Sequence, residues 1–132
     1  MAVYRLLPIF GRLRGSIAIV ESAGSYLMML RNDGLGLCFP GGMAKRGESS
    51  LQTVVREFQE ETGLVLRDPE ELFHFDSDER IPATTVVFRG KASGILHNSW
   101  EGTPCWLSLE EIDRRGVFIP HQRVVAYLRS LS

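Results

Sequence analysis

The sequence lacks the features that mark disulfide-rich, nucleic-acid-binding and membrane-spanning proteins. Only two of its 132 residues are cysteines, Cys38 and Cys105, and they form neither a disulfide framework nor a metal-ligand spacing. Basic and acidic side chains nearly balance, with 15 Lys and Arg against 16 Asp and Glu, so no broad positive field exists to attract nucleic acid or anionic membranes. No apolar run approaches the roughly 18 residues of a membrane-spanning helix.

The composition that remains is typical of one globular domain. Hydrophobic residues make up 44% and charged residues 23% of the chain, and this length suits a single compact unit. The N-terminal segment is not a convincing secretory signal, because Arg5, Arg12 and Arg14 interrupt its short apolar run. We therefore predict one domain over residues 1–132, located in the cytoplasm. Such a domain must hold an anionic substrate through a few local Arg or Lys residues or through a bound cation.

Apolar, β-branched segments bounded by turn residues predict several strands. The first two, residues 15–21 and 26–31, are separated by Gly24 and Ser25 and are predicted to form a hairpin. Further strands are predicted at residues 71–75, 83–91 and 105–107.

The clearest helix is predicted for residues 48–62. Its apolar residues recur at the spacing of one helical face and are Leu51, Val54, Val55 and Phe58. Gly63 follows where a left-handed C-terminal cap belongs. Ser108 and Glu111 form a capping box for another helix, and residues 121–131 predict a last amphipathic one. Strands on both sides of a central helix predict an α/β fold with a mixed sheet between helices.

Three carboxylates crowd one flank of the predicted helix near its end: Glu57, Glu60 and Glu61. Like charges at this spacing cost about 0.2–0.5 kcal/mol per pair, and the helix dipole disfavours each negative charge there by roughly 0.3–1 kcal/mol. Arg56 offsets only part of this cost. A plain solvated surface is one interpretation, but a sequence that breaks local rules commonly serves a site. Magnesium fits such a site because it prefers hard carboxylate oxygens.

The spacing around these carboxylates is that of the complete Nudix box. Every position that the box specifies between residues 42 and 64 holds the required residue type; these positions are Gly42, Glu48, Arg56, Glu57, Glu60, Glu61 and Gly63, with apolar Phe58 and Leu64. With each specified residue at roughly 5–7% background, a chance match is on the order of one in a billion per start position. The chain therefore resembles the Nudix hydrolases.

The resemblance implies a fold, a reaction and a cofactor. The fold is the Nudix-type α/β/α sandwich around a mixed β-sheet. The implied reaction is metal-dependent hydrolysis of a phosphoanhydride bond in a nucleoside triphosphate or another nucleoside diphosphate derivative, which releases a mononucleotide. The implied cofactor is Mg²⁺, with Mn²⁺ as an alternative. The implied partner is a small nucleotide substrate, with neither nucleic acid nor a membrane. The sequence leaves open whether the protein is a monomer or a homodimer.

The resemblance also implies roles for the residues of the box. Glu57 and Glu61 become the principal metal ligands, Glu60 assists them, and the carbonyl of Gly42 contributes. One of the helix carboxylates, or an acid from a loop elsewhere, takes the proton of the attacking water.

Two further roles concern residues near the box and beyond it. Glu48 and Arg56 are expected to pair and to hold the loop against the helix. Glu101 lies five residues before Trp106, in a region where the family often supplies another catalytic or metal-binding acid. An ordinary loop residue is the alternative for Glu101.

Three residues outside the box are candidates for substrate binding. Arg31 ends the second strand, where many family members contact phosphate, although a surface arginine is the alternative. Phe39 precedes the Pro-Gly-Gly turn and is either a substrate contact or a core residue. Gln122 is suited to bind a base edge through its amide or is simply a helix-start residue. The histidines show no metal spacing and are interpreted as structural or surface residues: His74, His97 and His121.

The substrate stays open at this level. The alternatives to a nucleoside triphosphate are a nucleotide sugar, ADP-ribose or a dinucleotide polyphosphate. In the family, a proline at the position of Arg80 marks a preference for ADP-ribose, and this chain has Pro82 nearby instead. A non-catalytic nucleotide-binding module is the third possibility. It predicts eroded carboxylates, and the box retains all of them.

Overall fold

The structure, a computed structural model, describes residues 12–77, 82–99 and 101–131. Most of the N-terminal segment considered above, and Arg80, lie outside these ranges. The elements are β1 (Leu13–Ser22), β2 (Ser25–Arg31), β3 (Leu37–Cys38), β4 (Gly41–Met43), α1 (Ser50–Thr62), β5 (Val65–Ser77), β6 (Ala83–Ser93), β7 (Gly102–Leu107), α2 (Leu109–Arg115) and α3 (Gln122–Ser130), with a 3-10 turn over Ile119–His121.

The strands form one mixed sheet. Its main path runs β3-β2-β1-β6-β5, while β4 pairs with β1 and β7 with β2. The β1 and β6 strands are parallel and the other pairings are antiparallel. The hairpin expected from the sequence is confirmed, since Glu21 faces Tyr26 and Ser22 faces Ser25 across its turn.

Strand β1 lies at the centre of the fold, and both of its faces are therefore buried. Ile17 and Ile19 point into a core shared with α2 and α3. Ala18 and Val20 point into a second core shared with α1. Side chains alternate between the faces of a strand, so this apolar run contacts helices on both sides of the sheet. The expected α/β/α sandwich is thereby confirmed.

Helix α1 follows the predicted pattern with two corrections. It begins at Ser50 rather than at residue 48, because Ser49 is the N-cap and forms a capping box with Gln52. Its end is as expected, since Gly63 has a φ of 78° in the left-handed region. The predicted apolar stripe is wrong at Leu51, which is 47% exposed.

Several boundaries elsewhere differ from those predicted. Strand β5 spans Val65–Ser77 rather than 71–75, and the two later predicted strands also extend further, to Ser93 in β6 and back to Gly102 in β7. The capping box of Ser108 and Glu111 is present at the start of α2. The last helix begins at Gln122, after the 3-10 turn. Within the described ranges, no helix has both the length and the apolar character that a membrane crossing requires.

Candidate active site

Two glycines bring the chain between β3 and α1 close to both the sheet and the helix. Gly41 and Gly42 pair with β1 opposite Ile17 and Ser16. A Cβ on Gly41 would lie 2.1 Å from the carbonyl oxygen of Ser16, so no larger residue fits there. The N–H of Gly41 donates to Oε1 of Glu61 at 2.7 Å. The turn is thus fixed to the sheet on one side and to α1 on the other.

Three carboxylates meet beside this turn. Glu57 and Glu61 lie one helical turn apart on α1 and therefore share a face, while Glu101 comes from the loop before β7. One oxygen from each carboxylate lies within 4.8 Å of the others; we call this group the carboxylate cluster. A Cβ on Gly42 would lie 2.5 Å from the carboxyl carbon of Glu57. The absence of a side chain at Gly42 therefore leaves the space that the Glu57 carboxylate fills.

The cluster concentrates negative charge in a poorly solvated place. Glu61 is only 6% exposed, and burial, together with Glu101 and Glu57, raises its pKa to about 8 against the effect of the Gly41 hydrogen bond. Burial also raises the pKa of Glu57, which the hydrogen bond from Arg56 opposes. The negative charge of these converging carboxylates is only partly offset by hydrogen bonds from the protein. They therefore provide the hard oxygen donors that a divalent cation prefers.

Arg56 connects the loop before α1 to the helix. It donates to both carboxylate oxygens of Glu48, from Nε at 2.7 Å and from Nη2 at 2.8 Å. Its Nη1 donates to Glu57 at 2.7 Å and to Glu60 at 3.2 Å. The hydrogen bonds from Arg56 lower the pKa of Glu48 to about 2. The structure thus places Glu48 and Arg56 in the contact that the resemblance implies.

Glu60 does not join the carboxylate cluster. Its side chain is 55% exposed, and its carboxylate is bonded to Arg56 rather than directed at Glu57 and Glu61. The structure therefore brings Glu57 and Glu61 together and leaves Glu60 apart from them.

Glu101 reaches the cluster through sheet pairing. Gly102 pairs with Arg31 where β7 runs beside β2, and the carbonyl oxygen of Glu101 accepts a hydrogen bond from the N–H of Asn32 at 3.2 Å. These contacts fix the backbone of Glu101 at the end of β2, beside the carboxylates of α1.

A cavity of about 1000 Å³ opens beside the carboxylate cluster. Its lining includes the acidic Glu61 and Glu101 and also Phe118, Pro120 and His121. Its volume is at the upper end of the range for small-molecule sites, which is roughly 300–1000 Å³. The cavity therefore has room for a nucleotide, and its lining combines acidic with apolar groups.

The three predicted substrate contacts have different surroundings. Arg31 lines the cavity, donates to Asp33 from Nε at 2.9 Å and lies 4.4 Å from the centre of the Phe118 ring. Phe39 is 1% exposed and belongs to the core, although it also borders the cavity. Gln122 is exposed and lies outside the described lining of the cavity.

His121, which the sequence analysis treats as structural or surface, lines this cavity. Its Nδ1 accepts a hydrogen bond from the N–H of Phe39 at 3.0 Å. Burial, with a smaller effect from the charge of Arg31, lowers its pKa to about 4. No pattern in the sequence connects His121 with Phe39, because the contact spans 82 positions.

Comparisons with known proteins agree with this geometry. The family model described as NUDIX domain matches residues 11–128. A MutT protein from Bacillus halodurans is 26% identical over 86% of this chain and 80% of its own, with a TM-score of 0.76. The E. coli ORF135 protein is 22% identical over 95% and 94% of the two chains, with a TM-score of 0.80.

A third structure was solved with a ligand. The NUDIX domain of Shewanella oneidensis NrtR, complexed with ADP ribose, is 19% identical over 91% of this chain and 88% of its own, with a TM-score of 0.77. Among curated proteins the comparison finds no match. The resemblance based on residues 42–64 is confirmed by a family match that extends over most of the chain. The chain therefore belongs to the NUDIX domain family, and it is a hydrolase of pyrophosphate bonds in nucleotide derivatives.

Proposed function

We propose that the protein uses magnesium to hydrolyse a phosphoanhydride bond in a nucleoside triphosphate, or in another nucleoside diphosphate derivative, and releases a mononucleotide. The observation that carries this proposal is the carboxylate cluster, whose three oxygens lie within 4.8 Å of one another at the edge of the 1000 Å³ cavity. Acidic residues beside an anionic substrate are unfavourable unless a cation lies between them.

The donor set fits a magnesium ion. Glu57, Glu61 and Glu101 would hold it, because Mg²⁺ is bound through carboxylates and substrate phosphate oxygens. The carbonyl of Gly42 faces Ser16 of β1, since the hydrogen bonds on either side make these two residues a hydrogen-bonded pair. Manganese accepts the same oxygen donors. When bound, such an ion neutralises charge on the diphosphate and lowers the pKa of an attacking water. Glu60 would support this set through its hydrogen bond to Arg56.

The protein groups position the reactants and move a proton. Arg56 holds the carboxylate of Glu57, and the Gly41 N–H holds that of Glu61. A carboxylate of the cluster accepts a proton from water as the water oxygen bonds to phosphorus. The bond from phosphorus to the bridging oxygen then breaks, and this oxygen leaves with the other phosphate fragment. Arg31, on the cavity wall, supplies positive charge to a substrate phosphate.

A second substrate class has a specific observation in its favour. The NrtR NUDIX domain, with a TM-score of 0.77 to this chain, was solved with ADP ribose. A cavity of about 1000 Å³ is large enough to hold a ligand of this size. Nucleotide sugars and dinucleotide polyphosphates share the same diphosphate group. These compounds therefore belong in the substrate panel beside nucleoside triphosphates.

The test is turnover of that panel with magnesium. Phosphate release would be measured with and without added pyrophosphatase or phosphatase, so that the bond that breaks is identified from the products. The Glu57→Gln variant would be compared with Glu110→Gln, a matched change at an exposed position on α2. We expect one class to be turned over by the wild type and by Glu110→Gln, and at least 100-fold more slowly by Glu57→Gln. No turnover of any class with magnesium or manganese would refute the proposal.

A further inference from the structure

Arg31 is the only arginine or lysine among the described residues that line the cavity. It ends β2 and lies opposite Gly102 of β7. The N–H of the next residue, Asn32, donates to the carbonyl oxygen of Glu101 at 3.2 Å. The backbone of Arg31 is therefore held beside that of Glu101, which belongs to the carboxylate cluster. The state of this one cation bears directly on how the cavity receives an anionic ligand.

The charge of Arg31 is already balanced by a carboxylate. Asp33 accepts hydrogen bonds from Nε of Arg31 at 2.9 Å and 3.1 Å and from Nη2 at 2.5 Å. These hydrogen bonds lower the pKa of Asp33 to about 2, so its carboxylate is ionised at ordinary pH. Asp33 also lines the cavity. The two side chains together therefore present an ion pair without net charge on the cavity wall.

Neighbouring groups fix the geometry of this ion pair. The N–H of Leu35 donates to Oδ1 of Asp33 at 3.1 Å, and the N–H of Arg31 donates to the carbonyl oxygen of Gly36 at 3.2 Å. The ring centre of Phe118 lies 4.4 Å from Cζ of Arg31. The short loop and the aromatic ring thus hold both partners in place. The pair is spared part of the loss of side-chain freedom that weakens most exposed ion pairs.

The cation that contacts the carboxylate cluster is committed in the same way. Arg56 donates to Glu48, Glu57 and Glu60. The described cavity wall and the cluster therefore offer an entering anion no uncompensated positive charge. Without a metal ion, the cluster repels a phosphate group. A divalent cation among the same carboxylates reverses the sign of that interaction.

We propose that Asp33 is a specificity-determining residue, which makes the binding of an anionic nucleotide depend on a divalent cation because it neutralises Arg31. The inference rests on the proposed function, since it states in which form the same site accepts its substrate. A guanidinium has five N–H donors, so Arg31 can bond to a phosphate while Asp33 still shares its charge. The site thereby prefers a metal-bound diphosphate to free anions of similar size.

Removing the charge of Asp33 tests this inference by a gain of binding, which damage to the fold would not produce. Asp33→Asn keeps an oxygen that can accept from Leu35 but leaves the charge of Arg31 unbalanced. The ligands are the α,β-methylene diphosphates of adenosine, guanosine, cytidine and uridine, in which a CH₂ group replaces the bridging oxygen and prevents hydrolysis there. Calorimetry would measure their affinities in excess EDTA and in magnesium.

We expect Asp33→Asn to bind these analogues in EDTA roughly three- to tenfold more tightly than the wild type does. The gain is modest because the side chain of Asp33 is 46% exposed and solvent screens its charge. High ionic strength should reduce the gain further. In magnesium the gain should be smaller, because the metal already offsets the charge of the ligand. The wild type should therefore depend on magnesium more strongly than the variant.

Two controls show whether the gain comes from Arg31. The double variant Arg31→Gln with Asp33→Asn removes both charges of the pair, and its affinity in EDTA should return to that of the wild type. Asp113→Asn removes an aspartate that pairs with Arg129 outside the described lining of the cavity, and it should bind as the wild type does. Melting temperatures would show that the variants are folded. If Asp33→Asn does not fold, Asp33→Ser replaces it, because a serine hydroxyl can also accept from Leu35.

The outcomes distinguish this inference from the proposed function. The inference is wrong if the wild type binds the analogues equally well in EDTA and in magnesium, or if removing the charge of Asp33 brings no gain in EDTA. A gain of the same size in the double variant or in Asp113→Asn would also overturn it, because Arg31 would not be the source. If no analogue binds the wild type even with magnesium, the inference again fails. Turnover of the substrate panel decides the proposed function independently of all these results.

Discussion

Replacing Gly42 with alanine should separate the stability of the protein from its chemistry. The new Cβ would lie 2.5 Å from the carboxyl carbon of Glu57, whereas ordinary contacts begin near 3.4 Å. The carboxylate must therefore retreat by about 1 Å. It is the end of a flexible side chain, so the free energy of unfolding should fall by less than about 1 kcal/mol. A catalytic group displaced by about 1 Å can lower kcat/KM roughly 100-fold.

The neighbouring Gly41 is the matched comparison. An alanine Cβ there would lie 2.1 Å from the carbonyl oxygen of Ser16 and 2.7 Å from the Cα of Ile17. Both atoms belong to the backbone of β1, which cannot move without disturbing the sheet. Overpacking against such groups costs about 3 kcal/mol. We therefore expect Gly41→Ala to lose stability and Gly42→Ala to lose mainly activity.

Urea denaturation would measure the stability of both variants, and magnesium titration and turnover would measure their function. The reasoning is refuted if Gly42→Ala is destabilised as strongly as Gly41→Ala. It is also refuted if Gly42→Ala keeps wild-type magnesium affinity and turnover, because Glu57 would then not need the space that Gly42 leaves.

Three further predictions concern single side chains. Glu61→Gln should remain folded but lose magnesium affinity and turnover by at least 100-fold, measured by calorimetry and product release; near-full activity would contradict its role as a ligand. Folding lowers the pKa of His121 from 6.5 to about 4. The contribution of His121 to the free energy of unfolding is therefore complete above pH 6.5 and is lost as the pH falls towards 4. The advantage of wild-type protein over His121→Asn in urea should shrink over that range, by up to about 3 kcal/mol, and a constant difference would exclude this effect. Ser49→Ala removes the N-cap of α1 and should lower the free energy of unfolding by about 1 kcal/mol; no change in urea midpoint would contradict the capping role.

The sequence predicts α1 well because its apolar period and its C-cap are local signals. It does not show which residues at the edges of the stripe are buried. Thr53 and Thr62 are fully buried. Their hydroxyls can be buried because each donates to a backbone carbonyl four residues earlier, Thr53 to Ser49 at 2.8 Å and Thr62 to Phe58 at 2.7 Å. Leu51 is exposed instead. Burial of polar residues through local hydrogen bonds cannot be inferred from hydrophobic spacing alone.

Strand β5 was predicted too short for a different reason. Its register with β6 shifts twice, between Arg67 and Glu70 and between Glu71 and Phe73, and Asp68 has a φ of 50°. Each irregularity interrupts the alternation of inward and outward side chains. A strand with these interruptions lacks the period of two residues by which strands are predicted.

The sequence predicts the site residues whose contacts are local more clearly than those that long-range contacts bring together. Glu57 and Glu61 lie one turn apart on a single helix, so their spacing alone indicates a shared face. Glu101 joins them only through the pairing of β2 with β7. His121 reaches the cavity only through the packing of the C-terminal helix and its contact with Phe39. Long-range pairings of this kind leave no periodic signal in the sequence.

Binding of Mn²⁺ tests most directly whether the carboxylate cluster holds a divalent cation. Electron paramagnetic resonance would follow the loss of the free Mn²⁺ signal on titration with wild-type protein, with the Glu57→Gln, Glu61→Gln and Glu101→Gln variants, and with the Glu110→Gln control. We expect the wild type and the control to bind Mn²⁺ alike, and each cluster variant to bind at least about tenfold more weakly. Absence of binding by the wild type, or unchanged binding by all three cluster variants, would contradict the proposed site.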